Sequence, residues 1–433
     1  MGSGPTLEEI NLAASQLAAS IRTPPMPQTM PAFPLPLDGV TVLDLSRVLA
    51  GPYCGLMLAA MGADVIKVEH PEGGDDSRAF SEPNLQGVST YFLTVNRNKR
   101  SVALDLKAPA GRDAFLQLVA KADVVLENFR TGVMERLGLG YDKLKAIRPS
   151  LIYCAISGYG RSGPNVEVPG YDPIAQAESG LMSMIGDPNG QPMRTGSSIV
   201  DLVTGLYASQ AIASALYRAA RTGEGRLIEA TLHETGMSLL ANFAGSYLMT
   251  GRNPTRTGNA NQVAQPADVY EAADGLFVLA CVTEAQFRSL CNQVIDRPDL
   301  LADERFARNP ARLRNVVELR RILNSIFGAA PREHWIPRIR AAGVPSGAVA
   351  TVAEALSSEL VSARSAVLEV SHSGIGPYRT LRTPAVLHDT APIPTRGAPQ
   401  LGEHTRTVLR EMAGLSGSEI DALIAAGTAR QSP

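Results

Sequence analysis

The chain is short of cysteine, of excess charge and of long apolar runs, and each shortage excludes a class of protein. Its 433 residues include 4 scattered cysteines, too few for a disulfide framework or a CxxC metal site, so we expect a reducing, cytoplasmic compartment. The 6 histidines form no HxxxH or HExxH pair, and we predict no metal site. Lysine and arginine number 40 against 42 acidic residues, a balance that predicts binding to neither nucleic acid nor membrane. No apolar run approaches the roughly 20 residues of a membrane-spanning helix.

The N-terminal segment 1–36 differs in composition from the rest of the chain. Glu8, Glu9 and the lack of an apolar core exclude a secretory signal. Residues 7–21 favour one short helix, and six prolines between 24 and 36 preclude regular structure after it. We predict an extension that lies on the surface or on a partner subunit, and simple disorder is the alternative.

From residue 37 onwards, apolar runs typical of buried strands alternate with helical patterns. This alternation predicts an α/β fold with a parallel, doubly wound sheet, whose ligands lie beyond the carboxyl ends of the strands. Strands are expected at 41–46, 63–69, 101–106, 123–127, 151–156 and 227–231, and helices at 50–61, 110–122, 174–182, 201–220 and 233–249. The loops to watch are 46–52, 69–78, 128–131 and 157–163. A smaller α+β region near Arg252 and beyond has a strand at 276–280 and helices at 283–294, 312–327 and 332–342, and the tail has one helix at 403–412.

One glycine motif imitates a dinucleotide site. Gly158, Gly160 and Gly163 fit the GxGxxG pattern after a strand, but Pro164 follows at once. The pattern needs a helix N-terminus to hold a pyrophosphate, and this sequence is a poor helix start. We therefore do not expect a nicotinamide or flavin cofactor.

Asp201 is the strongest catalytic candidate. It stands where the glycine- and serine-rich segment 196–198 turns into a helix. An aspartate there is commonly an N-cap. A carboxylate at the positive end of a helix is also kept ionised and available as a nucleophile. Both readings can hold together.

Other polar residues have a structural reading beside a functional one. Asp172 is expected to cap the helix that follows it, whereas Tyr171 has no evident structural duty and is a candidate for a cleft. All six lysines lie between 67 and 145, and Lys99, Arg100 and Lys107 flank one strand. They predict either a solvated face or a phosphate-binding rim. Cys154 and His233 are expected to be structural.

Nine segments of the chain occur in the order of a known enzyme family. They are Leu37-Asp-Gly-Val-Thr-Val-Leu-Asp-Leu-Ser-Arg-Val-Leu-Ala-Gly-Pro52, Gly62-Ala-Asp-Val-Ile-Lys-Val-Glu-His-Pro71, Asn98-Lys-Arg-Ser101, Glu127-Asn-Phe129, Arg136-Leu-Gly-Leu-Gly140, Ser157-Gly-Tyr-Gly160, Gly170-Tyr-Asp172, Thr222-Gly-Glu-Gly225 and Leu401-Gly-Glu-His404. Together they resemble the family III CoA-transferases, the group of formyl-CoA transferase and α-methylacyl-CoA racemase, over about residues 37–428.

The resemblance implies a reaction and a set of contacts. It places the family's nucleophilic aspartate on Asp201, which would carry an acyl group and then CoA as covalent intermediates, with CoA as substrate and no permanently bound cofactor. His70 replaces an arginine common in the family, and Pro169 replaces a lysine of some members. The CoA-binding positions that carry over are Val48, Leu49, Ala50, His70, Leu104, Lys107, Asn128, Phe129, Arg130, Arg136, Tyr171 and Asp172.

Two residues bear on the choice of reaction and substrate. The racemases of the family have a histidine near the position of Tyr171, and a phenol is a poor base near neutral pH. The glycine-rich loop of the oxalate enzymes is missing, since residues 258–266 read Gly-Asn-Ala-Asn-Gln-Val-Ala-Gln-Pro. The segments around Arg47, Asn96 and Asp201 resemble most the branch that exchanges succinyl-CoA with glutarate, and Arg47 is a candidate for the distal carboxylate.

The same resemblance implies an architecture. The large CoA-binding domain would combine residues 37–228 with the linker and C-terminal return 346–433, and the small domain would span 229–345. Two subunits would interlock as ring-like links of a homodimer with the active site between them. The rival readings are an acyl-CoA racemase or epimerase, a non-catalytic CoA-binding module and a nicotinamide-dependent enzyme.

Overall fold

A computed structural model describes residues 33–388, 390–392 and 395–432. The helix predicted at 7–21 lies outside them. The central element is a seven-stranded sheet in the order β14-β5-β2-β1-β6-β7-β8, parallel except for β14. Its strands are β1 (Thr41–Asp44), β2 (Asp64–Glu69), β5 (Lys99–Leu104), β6 (Val124–Glu127), β7 (Ile152–Ser157), β8 (Arg226–Thr231) and β14 (Ala429–Arg430). This confirms the predicted α/β class with a large parallel sheet.

Both faces of the sheet are buried along β1, β2, β5, β6 and β7, as the apolar runs of these strands require, whereas the edge strand β8 is mostly exposed. Leu43 and Val125 point to one helix layer, where they share a core with Phe115. Val42 points to the opposite layer and shares a core with Ile212. Neighbouring residues of one strand therefore serve two cores, which explains why these strands do not alternate between apolar and polar residues.

The helices cover the sheet and build the remaining regions. They are α1 (Ala50–Ala60), α2 (Thr90–Val95), α3 (Pro109–Val119), α4 (Val133–Arg136), α5 (Tyr141–Ile147), α6 (Asp172–Glu178), α7 (Ile199–Thr222), α8 (Leu232–Ser238), α9 (Asn242–Thr250), α10 (Glu284–Ser289), α11 (Asp299–Ala302), α12 (Asn309–Arg314), α13 (Val316–Phe327), α14 (Arg332–Ala341), α15 (Val352–Leu356), α16 (Glu359–Ala363), α17 (Thr405–Glu411) and α18 (Gly417–Ala425).

Three predicted helices are interrupted in the structure, and a fourth has different bounds. The helix expected at 233–249 breaks into α8 and α9 at Ala241, whose φ of +42° cannot continue a helix. The one expected at 312–327 breaks at Asn315, which ends α12 and precedes α13. The one expected at 283–294 changes to a π turn after Ser289. The one expected at 174–182 begins at Asp172 and ends at Glu178. The tail, for which one helix was expected, has two, α17 and α18.

A second core lies around residues 270–344. It packs the helices α10 to α14 on a three-stranded antiparallel sheet of β9 (Ala267–Ala272), β10 (Gly275–Ala280) and β11 (Ser346–Ala348). A separate hairpin, β12 (Val367–His372) and β13 (Gly376–Leu381), follows, and a short ribbon of β3 (Asn84–Leu85) and β4 (Val88–Ser89) precedes β5. The sequence predicted only β10 among these strands. β8 runs to Thr231, three residues beyond the boundary expected at 228, and β14 pairs with β5 in the large sheet; the division into domains stays a prediction.

Among the described residues, α7 is the one helix long and apolar enough to cross a membrane by length and composition. The expectation that no apolar run approaches this length is wrong for residues 199–222. One helix of this kind is weak evidence, because a core helix of a folded domain has the same composition. Since α7 packs against α1, β7 and β8, we read it as a helix of the sheet layer.

Candidate active site

A cleft opens where the order of the sheet reverses. The parallel strands, in chain order, lie as 3-2-1-4-5-6, so the chain turns in opposite directions after β1 and β6. The loops that follow β1, β6 and β7 diverge there, as in other doubly wound sheets with a ligand crevice. The start of α7 closes the floor. The lining residues are 47–50, Asp76, 128–131, 156–160, 166–171, Asp201 and Leu232.

Most of the predicted site residues come together in this cleft. They arrive from separate loops and from the first turn of α7. The predicted residues that line it are Arg47, Val48, Leu49, Ala50, Asn128, Phe129, Arg130, Tyr171 and Asp201. Tyr171 is 65% exposed, and it therefore stands at the mouth of the cleft.

The other predicted CoA contacts lie outside the lining. His70 and Lys107 are on neighbouring loops around Asp105, with His70 Nε2 3.7 Å from the Asp105 carboxylate and the Lys107 N–H donating to it. Leu104 is fully buried in the core beside β14, so its side chain is not available to a ligand. Arg136 ends α4. A CoA contact at His70, Lys107 or Arg136 stays a prediction.

Asp172 has a different role from the one predicted. It does not cap the helix that follows, because it is itself the first residue of α6 after Tyr171. Its Oδ2 instead accepts the N–H groups of Val200 at 2.8 Å and Asp201 at 3.2 Å. These are unpaired donors of the first turn of α7. Asp172 is buried, and it fixes the backbone of the candidate nucleophile from another helix.

Asp201 is therefore in the first turn of α7 but is not its N-cap, a position held by Ser198. The expectation that the helix end keeps the carboxyl ionised also needs correction. Burial first, and then the negative charge of Asp172, raises the pKa of Asp201 to about 7. Among the described residues no lysine, arginine or histidine forms an ion pair with it. A carboxylate free of a counter-ion faces the cleft.

The loop after β1 is held in a strained shape. Val48 has a φ of +68°, a left-handed conformation that is rare for a β-branched residue. Its N–H donates to Asp75 Oδ1 at 3.1 Å, and the buried Lys67 Nζ donates to the Ser46 carbonyl at 2.8 Å. Lys67 Nζ also lies 2.8 Å from Asp75 Oδ2. One buried ion pair thus holds two points of the loop that lines the cleft.

Two of the six lysines, Lys67 and Lys99, belong to neither a solvated face nor a phosphate-binding rim. Both are fully buried. Lys99 Nζ donates to Asp44, to the Pro52 carbonyl and to Asn96 at 2.8–2.9 Å. Burial lowers the pKa of Lys99 to about 8, although Asp44 opposes the shift. Both predicted readings of this cluster are wrong for these two residues.

Arg47 lies on the wall of the cleft, and its contact with a substrate carboxylate stays a prediction. Its Nη1 is 3.1 Å from Asp76 Oδ2, and its guanidinium carbon is 5.2 Å from the centroid of the Phe129 ring. Its backbone N–H donates to Asn128 Oδ1 at 2.7 Å, and Asn128 Nδ2 donates back to the Arg47 carbonyl at 2.8 Å. The loops after β1 and β6 are thereby joined.

Sequence reasoning missed two residues near the cleft. Glu127 accepts the Phe129 N–H at 2.7 Å, and Arg161 lies 3.5 Å from its carboxylate. Burial raises the pKa of Glu127 to about 7. Burial also raises the pKa of Tyr91 to about 12, with a further contribution from Asp201. Glu127 belongs to the segment Glu127-Asn-Phe129 that carried the family resemblance, but only its burial in the structure shows that its pKa is raised. No pattern in the sequence singles out Tyr91.

The fold and the site together define a doubly wound α/β protein whose cleft at the switch point is lined by the carboxyl group of Asp201. The sequence model of CoA-transferase family III matches residues 37–405. The chain belongs to CoA-transferase family III, and it is an enzyme that transfers CoA.

Individual relatives agree with this assignment. The chain is 40% identical to a succinate–glutarate CoA-transferase of Agrobacterium fabrum, over 88% of this chain and 97% of that one. It is 41% identical to an acetyl-CoA:oxalate CoA-transferase of Acetobacter aceti, over 79% of this chain and 88% of that one. The crystal structure of a CaiB/BaiF family protein from Brucella suis is similar with a TM-score of 0.79 at 39% identity, covering 88% of this chain and 100% of that one.

Proposed function

We propose that this enzyme moves CoA from succinyl-CoA to a dicarboxylate such as glutarate, with Asp201 as the nucleophile. The observation that carries the proposal is the position of Asp201. It lies in the first turn of α7, faces the cleft at the switch point and is held by Asp172 through two backbone N–H groups. The 40% identity with a succinate–glutarate enzyme supports the pair of acids.

Four exchanges at the Asp201 carboxyl complete the proposed reaction. Asp201 attacks the carbonyl carbon of the succinyl-CoA thioester, and the C–S bond breaks. CoA leaves as a thiolate, and a succinyl–aspartyl anhydride remains on the enzyme. The thiolate attacks the aspartyl carbonyl and releases succinate from an aspartyl-CoA thioester. Glutarate attacks the aspartyl-CoA thioester, forms a glutaryl–aspartyl anhydride and expels the CoA thiolate. The thiolate then attacks the glutaryl carbonyl, which gives glutaryl-CoA and regenerates Asp201. No proton is consumed, and each intermediate stays activated if water is kept away.

The racemase reading is less well supported. Racemisation needs two bases on opposite faces of the α-carbon. Tyr171, at the mouth of the cleft, supplies a phenol where that reaction needs a second base. The reading as a nicotinamide enzyme also lacks support, because residues 158–171 form a loop and no helix begins directly after Gly163.

Intact mass spectrometry tests the covalent chemistry. After brief incubation with succinyl-CoA, we expect an adduct of the mass of CoA less water on the wild-type chain, and we expect hydroxylamine to remove it, because a thioester of Asp201 is cleaved by amines. Protein denatured before the incubation is the control. An unmodified chain after incubation with succinyl-CoA and other acyl-CoAs would contradict the proposal.

The acceptor is tested by the same reaction with a panel of acids. We expect glutarate to discharge the adduct faster than oxalate, because the glycine-rich loop of the oxalate enzymes is absent.

We propose that Arg47 binds the distal carboxylate of the acceptor. Arg47→Met should therefore raise the KM for glutarate about 10-fold or more and leave the KM for a monocarboxylate nearly unchanged. An unchanged KM for glutarate would remove Arg47 from substrate binding.

We propose a homodimer whose interface covers α7 and α9. Leu248 and Met249 on α9 are each 82% exposed in the single chain, and Leu206, Tyr207 and Tyr217 on α7 are also exposed. An apolar surface of this kind marks a contact with another protein surface. The interlocked arrangement and an active site shared between subunits are part of this proposal, and sedimentation velocity at micromolar concentration should give the mass of a dimer.

The compartment and the cofactor requirement are proposals as well. The four cysteines are free and buried, as is usual in a reducing compartment, and we propose the cytoplasm. The proposed reaction needs only CoA thioesters and acids as substrates and no resident cofactor.

A further inference from the structure

A second large cavity lies away from the cleft. It has a volume of about 1030 Å³, is partly open to solvent and is lined by α1, the end of α2, α15 and the hairpin β12–β13. None of its lining residues lines the cleft. Its walls combine apolar side chains, such as Leu56 and Val367, with four arginines, Arg97, Arg364, Arg379 and Arg382, and no described lining residue is acidic.

Arg97 is the unusual member of this group. It is only 4% exposed. Its Nη2 donates to the Leu381 carbonyl at 2.9 Å, while its buried Nε has no hydrogen-bond partner among the described residues. No carboxylate in the described part of the chain forms an ion pair with it. Arg312, which is equally buried, lies 3.0 Å from Glu284.

A buried guanidinium without a counter-ion is unfavourable, because desolvation is not repaid by an opposite charge. Burial lowers the pKa of Arg97 accordingly. Arginine keeps its charge in proteins and presents a planar fork that matches a carboxylate. A carboxylate on a bound ligand would offset this cost, and the apolar walls suit a ligand with an apolar body.

We propose that this cavity is a second ligand site, which binds a small carboxylic acid with an aliphatic or aromatic body and holds its carboxylate on Arg97. The volume is close to the range of about 300–1,000 Å³ that small-molecule pockets occupy. The helix α1 contributes to both sites: Tyr53 and Leu56 line the cavity, and Ala50, the first residue of that helix, lines the cleft. This inference does not depend on the proposed transferase mechanism.

Isothermal titration of the full chain with octanoate tests the site. We expect octanoate to bind the wild type saturably. We expect octanamide, which has the same aliphatic body without the charge, not to bind. Arg97→Met should weaken octanoate binding about 10- to 100-fold, the loss of one charged hydrogen-bonding group. Arg321→Met is the matched control, because Arg321 is an exposed arginine paired with Glu318 on α13, and it should bind as the wild type does.

The other outcomes decide against the site. Equal binding by the wild type and Arg97→Met, with loss in Arg47→Met, would place octanoate in the cleft and overturn the proposal. A second copy of the chain would supply the carboxylate if octanoate does not bind the wild type and Arg97→Met sediments with the mass of a monomer. That result would also overturn the proposal. If Arg97→Met does not fold by circular dichroism, Arg382→Met is read instead and should weaken binding; unchanged binding would refute the site.

Discussion

Asp201→Asn should lower the rate of CoA transfer by about 10⁴-fold or more, as expected when a covalent nucleophile is removed. Asparagine keeps the size of the side chain and its place in the first turn of α7, but its amide cannot form the anhydride. The rate with succinyl-CoA and glutarate measures the loss. Circular dichroism and CoA binding by titration should be close to wild type, because Asp201 forms no ion pair among the described residues. Asp201→Ala is the control for slow deamidation of the asparagine, and a rate within tenfold of wild type in Asp201→Ala would exclude Asp201 as the nucleophile.

The wild-type rate should depend on pH through the same residue. Only the ionised carboxylate attacks, so a pKa raised to about 7 by burial and by Asp172 predicts a rate that climbs as the pH rises through about 7. Asp172→Asn removes the second of these causes and should move the rise to lower pH. Asp172 acts here through Asp201, so a purely structural role would lower the rate without moving the profile.

Stability should respond in the opposite direction. The folded-state pKa of Asp201 is above that of the unfolded chain, so the folded state holds the proton more tightly and loses stability as the pH rises through this range. Asp201→Asn is free of that loss. Its gain in stability over wild type should therefore increase between about pH 4 and pH 7 and level off above, in denaturant titrations at fixed pH. The nucleophile is thus held in place at the expense of the fold.

The parallel sheet and its switch-point loops were predictable, because both depend on local patterns. Apolar runs such as those of β6 and β7 identify buried strands, and the alternation with helices predicts their parallel arrangement. The loop that contains Arg47 was predictable as a ligand loop, because it follows β1 and parallel strands end at a common edge. Asp201 was instead singled out as a carboxylate at the start of a helix and by the family resemblance. β9 and the β12–β13 hairpin were missed, since their strands mix polar with apolar residues and contain no long apolar run.

The roles of charged residues were not predictable, because they depend on distant partners. Lys99 meets Asp44 across 55 positions of the chain, and Asp172 meets the Asp201 N–H across 29. A lysine is predicted from sequence to be exposed, and only its partners in the three-dimensional structure show that it is buried. The same applies to Arg97, which forms no ion pair with any residue that the structure describes.

Asp75→Asn should lower the free energy of unfolding by about 3–5 kcal/mol, the usual effect of breaking a buried ion pair. Asp75 and Lys67 are both fully buried, with Nζ and Oδ2 2.8 Å apart. Burial opposes the charge on each, but the partner outweighs it: the pKa of Asp75 is held well below its usual range and that of Lys67 is raised. Urea titration measures the loss, and Asp299→Asn, in an exposed pair with Arg297, is the matched control that should change nothing measurable.

Two further measurements separate the ion pair from general damage. In the double variant Lys67→Met/Asp75→Asn the loss should be smaller than the sum of the single losses, because each single change leaves one buried charge unpaired. Acid should also affect the variants differently. A lowered folded-state pKa gives stability that is present above the unfolded pKa and is lost as the pH falls, so Asp75→Asn should show a shallower loss below about pH 4 than the wild type. Additive losses would mean that the pair is not coupled.

The comparison of Asp75→Asn with Asp75→Ala connects this pair to the cleft. Asparagine keeps an oxygen for the Val48 N–H, whereas alanine removes it, and Val48 then has no acceptor to hold its φ of +68°. Because a strained conformation persists only where its surroundings fix it, the alanine variant should relax the loop that lines the cleft and raise the KM for succinyl-CoA well above that of the asparagine variant. Equal KM values in two folded variants would show that Lys67, through the Ser46 carbonyl, is sufficient to hold the loop.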